Sequence, residues 1–166
     1  MLRVRARRTL VLGLGDTAQG NMGIGARLAR SLASSFENAD VQPASTFPGF
    51  GEILHDYDLV VVLKALSYCA RVGNVALGSP CSLDSGWGTS PSSTEALARA
   101  VEYARLMGHT LPRIEVVNIC VGSEEWPEKG LSPTVAALYK EILGQVRSLV
   151  KHIIREAGHP VTPFSP

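Results

Sequence analysis

The sequence predicts a single doubly wound α/β domain, with a mostly parallel sheet and helices on both faces. Three observations carry this. Thr9–Leu14 and Leu59–Leu63 are continuously apolar runs, the mark of parallel strands covered on both sides. Segments with helical spacing alternate with them. A glycine-rich stretch, Gly13 to Gly25, joins the first run to the first helical segment. Open α/β sheets place their ligands beside such a loop, at the carboxyl ends of the strands.

Further strands are expected weakly near Val41, at Ile114–Val121, and as a short fifth strand at Val72–Leu77. Helices are expected at Gly25–Ser35, Thr94–Met107 and Pro133–Glu156. Ser93 or Thr94 can cap the second, and Ser132 followed by Pro133 suits the start of the third. In that last helix Val135, Leu138, Ile142, Val146, Leu149 and Ile153 recur on one face. Gly108 and Gly158 are placed to end the second and third helices. Residues 1–8 are expected to be a flexible basic arm, 9–157 the domain, and 158–166, with three prolines, a disordered tail. Two stretches are irregular. Phe47–Gly51 is expected to turn. Gly78–Ser93 is a long Gly/Ser/Pro-rich loop in which Trp87 is either a partner anchor or the centre of a small satellite core.

Sixteen Lys and Arg stand against 15 Asp and Glu among 166 residues, so a nucleic acid is not an expected partner. Leu10–Leu14 is too short for the core of a signal peptide. No run approaches the ~20 apolar residues that span a bilayer. A soluble, cytoplasmic protein without membrane partners is expected. Cys69, Cys81 and Cys120 are odd in number and lack metal-ligand spacing, which argues against a disulfide framework or a zinc site. Cys120 is expected in the core.

The glycine loop suggests two phosphate-binding patterns and satisfies neither. Gly13-x-Gly15-x-x-Ala18 fits a relaxed dinucleotide fingerprint, but Gln19–Gly23 delays the helix whose N-terminus would face the pyrophosphate. Gly15-x-x-x-x-Gly20 is followed by Asn21-Met22, where a phosphate loop has Lys and Ser or Thr. A nucleotide-binding α/β protein is a distant alternative.

The order of motifs over about Thr9–Val150 resembles the NiFe-hydrogenase maturation endopeptidases. Gly13-Leu14-Gly15-Asp16, Asn21-Met22 and Gly23-Ile24-Gly25 follow the family's opening frame. Val60-Val61-Val62-Leu63-Lys64-Ala65 stands for its second apolar strand, Ser90-Pro91-Ser92 for the segment before a helix, and IEVVNICVG for a later strand. Gly130-Leu131-Ser132-Pro133-Thr134-Val135 matches the family's last helix start. The resemblance implies the fold and a role in maturing a hydrogenase large subunit. It also implies a site where two carboxylates and one His hold a metal, the nickel of the precursor substrate.

At those three positions this chain has Met22, Lys64 and Ser92 (Ser93 if the register slips). A thioether is a poor partner for a divalent ion, an ammonium has no lone pair, and a hydroxyl is a weak neutral donor. His55, His109, His152 and His159 fall outside the matching segment. No metal or cofactor is therefore expected. Asp16 replaces the family's usual Asn and is the one acid placed near the site; either it pairs with Lys64 or each faces solvent. The expected cleft comprises Asp16, Asn21, Met22, Lys64, Ser92 and Trp87. The expected function is binding of a hydrogenase large subunit or a maturation factor without cleavage. The alternative is an active endopeptidase that removes the C-terminal extension of the precursor.

Overall fold

The structure, a computed structural model, describes residues 7–46, 49–78, 93–124 and 129–158. Five strands form one sheet: β1 Thr9–Gly13, β2 Ala39–Pro43, β3 Leu59–Leu66, β4 Val75–Gly78 and β5 Arg113–Cys120. Their order is β2-β1-β3-β5-β4. The first four neighbours run parallel, and β4 closes one edge antiparallel to β5. Four helices cover the sheet: α1 Ile24–Ser31, α2 Gly51–Asp56, α3 Ser93–Leu106 and α4 Pro133–Gly158.

The two faces follow from strand alternation. Odd-numbered Val61, Leu63, Ala65, Val117 and Ile119 join Leu28 of α1 and Val135, Ile142 and Val146 of α4 in one core. Even-numbered Val60, Val62 and Val116 join Leu10, Leu12, Ile53 of α2 and Leu97 of α3 in the other. Helices therefore lie on both faces, as the continuous apolar strands require. No helix among the described residues is long and apolar enough to cross a membrane.

Helix ends obey local chemistry. Ser132 caps α4: Val135 N–H donates to its Oγ (3.4 Å) and Ala136 N–H to its carbonyl (2.8 Å), with Pro133 at the first helical position. Gly108, at φ +72°, ends α3, and the amides of Gly108 and His109 return to the carbonyls of Arg105 and Ala104. That geometry favours glycine because a Cβ would be strained there.

Several elements differ from the sequence expectation. Phe47–Gly51 was expected only to turn, yet α2 starts at Gly51; six residues are too few to show a helical period. Phe47 and Pro48 lie outside the described residues. The glycine loop contains a 3-10 helix, Thr17–Gly23, and α1 ends at Ser31 instead of Ser35. The arm is bound by its last residues: Arg8 N–H donates to Asp58 Oδ2 (2.8 Å), and Arg7 reaches the Ala157 carbonyl. Arg8 also stacks over Tyr57, whose hydroxyl donates to Asp40 (2.6 Å). Burial and that carboxylate push the Tyr57 phenol up to about 12. Residues 1–6 of the arm and 159–166 of the tail lie outside the described residues.

The cysteines also correct the sequence reading. Cys69 and Cys120 form a disulfide, with Cα atoms 5.9 Å apart. Their spacing of 51 residues is silent in the sequence. The β3–β5 pairing sets Leu66 opposite Cys120 and so brings the loop after β3 to the end of β5. In the chain-entropy picture, a link closing a loop of that length restricts the unfolded chain by about 4 kcal/mol.

The glycines at the start of the domain permit close backbone packing. A Cβ on Gly25 would overlap the Leu63 carbonyl oxygen, and one on Gly13 the Gly25 carbonyl oxygen. Strand β1, helix α1 and strand β3 thus meet through bare backbone. We expect Gly25→Ala to cost at least about 3 kcal/mol or to prevent folding, because the surrounding backbone has nowhere to move. Denaturant unfolding checks this; a loss below about 1 kcal/mol would contradict it.

Candidate functional site

Strands β1, β3 and β5 end at the same edge of the sheet, and the chain leaves β1 there through Leu14. The Leu14 amide donates to the Leu63 carbonyl (2.9 Å), continuing the β1–β3 pairing one step past the strand. The loop then folds on itself. Gly15 adopts φ +98°, and a Cβ there would overlap the Met22 carbonyl oxygen; a Cβ on Gly23 would overlap the Asp16 carbonyl oxygen. Residues 15–16 and 22–23 are therefore backbone to backbone. This packing accounts for two glycines that phosphate-binding patterns would otherwise claim.

Asp16 is exposed, and its Oδ1 accepts the Ala18 amide (3.0 Å) at the start of the 3-10 turn. Asn21 was expected in the cleft but turns inward. It is 8% exposed, its Oδ1 accepts the Ser132 amide (2.8 Å), and its Nδ2 donates to Ser132 Oγ (3.0 Å). Ser132 is fully buried. With its neighbour anchored, Met22 is the residue left outside, 47% exposed.

Lys64 lies two residues before the end of β3, among the even-numbered residues that face α2 and α3. It is 7% exposed. Burial lowers the pKa of its ammonium from the usual 10.5. An acid held close would raise that value. The downward direction means that desolvation is the dominant influence on this ammonium.

Asn118 is directly across from Lys64 in the β3–β5 register and shares its face. Its Oδ1 is buried and, among the described residues, has no hydrogen-bond partner. The sequence reading passed over Asn118 because it sits in the apolar run IEVVNICV. A lone amide in such a run was the available signal, since a buried carboxamide without a partner carries a real cost. Ser92 and Trp87, the other expected cleft residues, lie outside the described residues.

The edge thus combines an exposed thioether, a buried ammonium and a buried carboxamide, with Asp16 serving its own loop. Among the described residues, no three His, Cys, Asp or Glu side chains gather to hold a metal ion. The donor chemistry does not suit one. The ammonium offers no lone pair and repels a cation, and Met22 is too soft a donor for a hard divalent ion.

Lys64→Met removes the buried charge and shortens the side chain by one atom. The lysine is deprotonated more easily in the folded chain than in the unfolded one, so the unfolded state binds more protons between the lowered pKa and 10.5. Wild-type stability therefore rises with pH through that window, and we expect Lys64→Met to flatten the rise. Urea unfolding of both chains at pH 7 and pH 10 checks this. The same pH dependence in both chains would contradict it.

No protein-family model and no curated protein matches the chain. Solved structures do match it. The hydrogenase maturating endopeptidase HybD from Escherichia coli aligns with a TM-score of 0.67 at 21% identity, over 91% of this chain and 94% of that one. An Escherichia coli endopeptidase solved in solution gives 0.67 at 23% identity, with the same coverage. The NiFe-hydrogenase maturation protease HycI from Thermococcus kodakarensis gives 0.60 at 19%, over 92% and 95% of the two chains. This likeness is one of fold: the chain has the α/β fold of the hydrogenase maturation endopeptidases.

Proposed function

We propose that this chain is a hydrogenase-maturation-protease-like protein. It binds a NiFe-hydrogenase large subunit, or a factor that assembles it, without cutting it. The observation that carries this reading is Lys64. A buried ammonium stands at the end of β3, where the family resemblance calls for a carboxylate toward nickel. Hydrolysis by this fold would need a polarising ion or a pair of acid–base groups. Neither Met22 nor Lys64 can hold the substrate's nickel. Asp16 is one carboxylate, engaged with the amide of Ala18.

The same edge offers what a peptide needs. The Lys64 ammonium and the Asn118 carboxamide lie opposite each other in the β3–β5 register and give the edge a polar, cationic floor. Met22 and Tyr68, both exposed on loops at this edge, add apolar surface. The C-terminal segment of a large-subunit precursor is the occupant that fits the reading. Near-neutral charge gives no support to a nucleic-acid partner. Action in the cytoplasm follows from the same reading; there the Cys69–Cys120 bond would be exposed to reduction.

The test mixes the protein with nickel-loaded large-subunit precursor and follows the precursor by mass spectrometry and size-exclusion chromatography. We expect co-elution with the precursor mass unchanged, and affinity about tenfold weaker for Lys64→Met. Loss of the C-terminal extension would overturn the proposal in favour of an active endopeptidase. Absence of both binding and cleavage would overturn it as well.

A further inference from the structure

On the face of the sheet opposite Lys64, α1 and α4 leave a groove of about 550 Å³ between them. Arg27, Arg30 and Ser31 line it from α1, and Ala136 and Tyr139 from the first turns of α4. None of the described residues lining it is acidic. Arg27 and Arg30 are three positions apart on one helix, so their charges repel. Neither forms an ion pair among the described residues. Arg27 Nη2 donates to the carbonyl of Thr17 (3.2 Å), a neutral acceptor, while its buried Nε has no hydrogen-bond partner among the described residues.

Two further features add donors. Ser31 Oγ and Tyr139 Oη are 2.7 Å apart. Their contact uses one hydroxyl proton and leaves the other free to donate. Ala136 belongs to the first turn of α4, a 26-residue helix whose N-terminal end carries partial positive charge. Guanidinium forks, a spare hydroxyl and a helix start all favour the same kind of guest.

We propose that this groove is a binding site for a compact oxyanion, a phosphate or carboxylate group. Arg30 and Arg27 supply charge and N–H donors, the Ser31–Tyr139 pair contributes a hydroxyl, and the bound anion relieves the repulsion between the arginines. The site is independent of the reading given to Lys64, and it requires no metal.

The test uses the full-length 15N-labelled chain, titrated separately with sodium phosphate and sodium acetate at constant ionic strength. Saturable shifts are expected at the amides of residues 27–31 and 136–139, with a millimolar dissociation constant. Arg30 is exposed and its side chain makes no ion pair among the described residues, so Arg30→Gln leaves the fold intact; it is expected to weaken binding about tenfold. Tyr139→Phe is expected to weaken it severalfold. Tighter binding of phosphate identifies a phosphate-bearing ligand, and tighter binding of acetate a carboxylate. Absence of saturable shifts with both anions would overturn the proposal. Shifts that Arg30→Gln leaves unchanged would also overturn it, as they would show an adventitious ion only.

Discussion

Two buried hydrogen bonds between Asn21 and Ser132 hold this domain's working edge in place. They join residues 111 positions apart: the loop after β1 and the start of the longest helix. Each partner satisfies the other's buried polar atoms, so loss of either leaves a desolvated group without a bond. Ser132 also caps α4, which carries much of one core. The pair therefore fixes three things together. It seats α4 on the sheet, it determines which residue of the loop faces solvent, and it sets the spacing of α1 and α4.

Met22 and the anion-favouring groove both follow from that arrangement. With Asn21 anchored and Gly15 and Gly23 closing the loop on itself, Met22 has no room inside and projects from the edge. With Thr17 held in the same loop, its carbonyl receives Arg27 and positions one wall of the groove. The backbone of the loop is thus fixed by its own packing, and that packing decides which side chains it presents.

Much of the architecture is legible in the sequence because its signals are strong and local. Thr9–Gly13 and Leu59–Leu66 are apolar throughout, and α4 repeats its apolar face over many turns. Ser132-Pro133 and Gly108 mark helix ends by stereochemistry that any chain must obey. What stayed hidden depends on long-range placement or shortness. Helix α2 is too short to show a period. The Cys69–Cys120 link depends on β3 and β5 lying side by side, far apart though they are in the chain. Asn21 looked like a cleft residue because its partner is far away in the chain, and Asn118 drew no reading of its own because apolar residues flank it. The identity of the replaced residues was legible, but the burial of Lys64 was not, and burial makes its charge consequential.

An edge that presents a buried ammonium is poorly suited to bind nickel by its own donors. Calorimetric titration of nickel into the purified chain, beside a variant carrying Met22→Glu, Lys64→Asp and Ser92→His, tests this most directly. The expected result is no saturable binding by the wild-type chain and a single site in the variant. Saturable nickel binding by the wild-type chain that is abolished by Met22→Ala would contradict it.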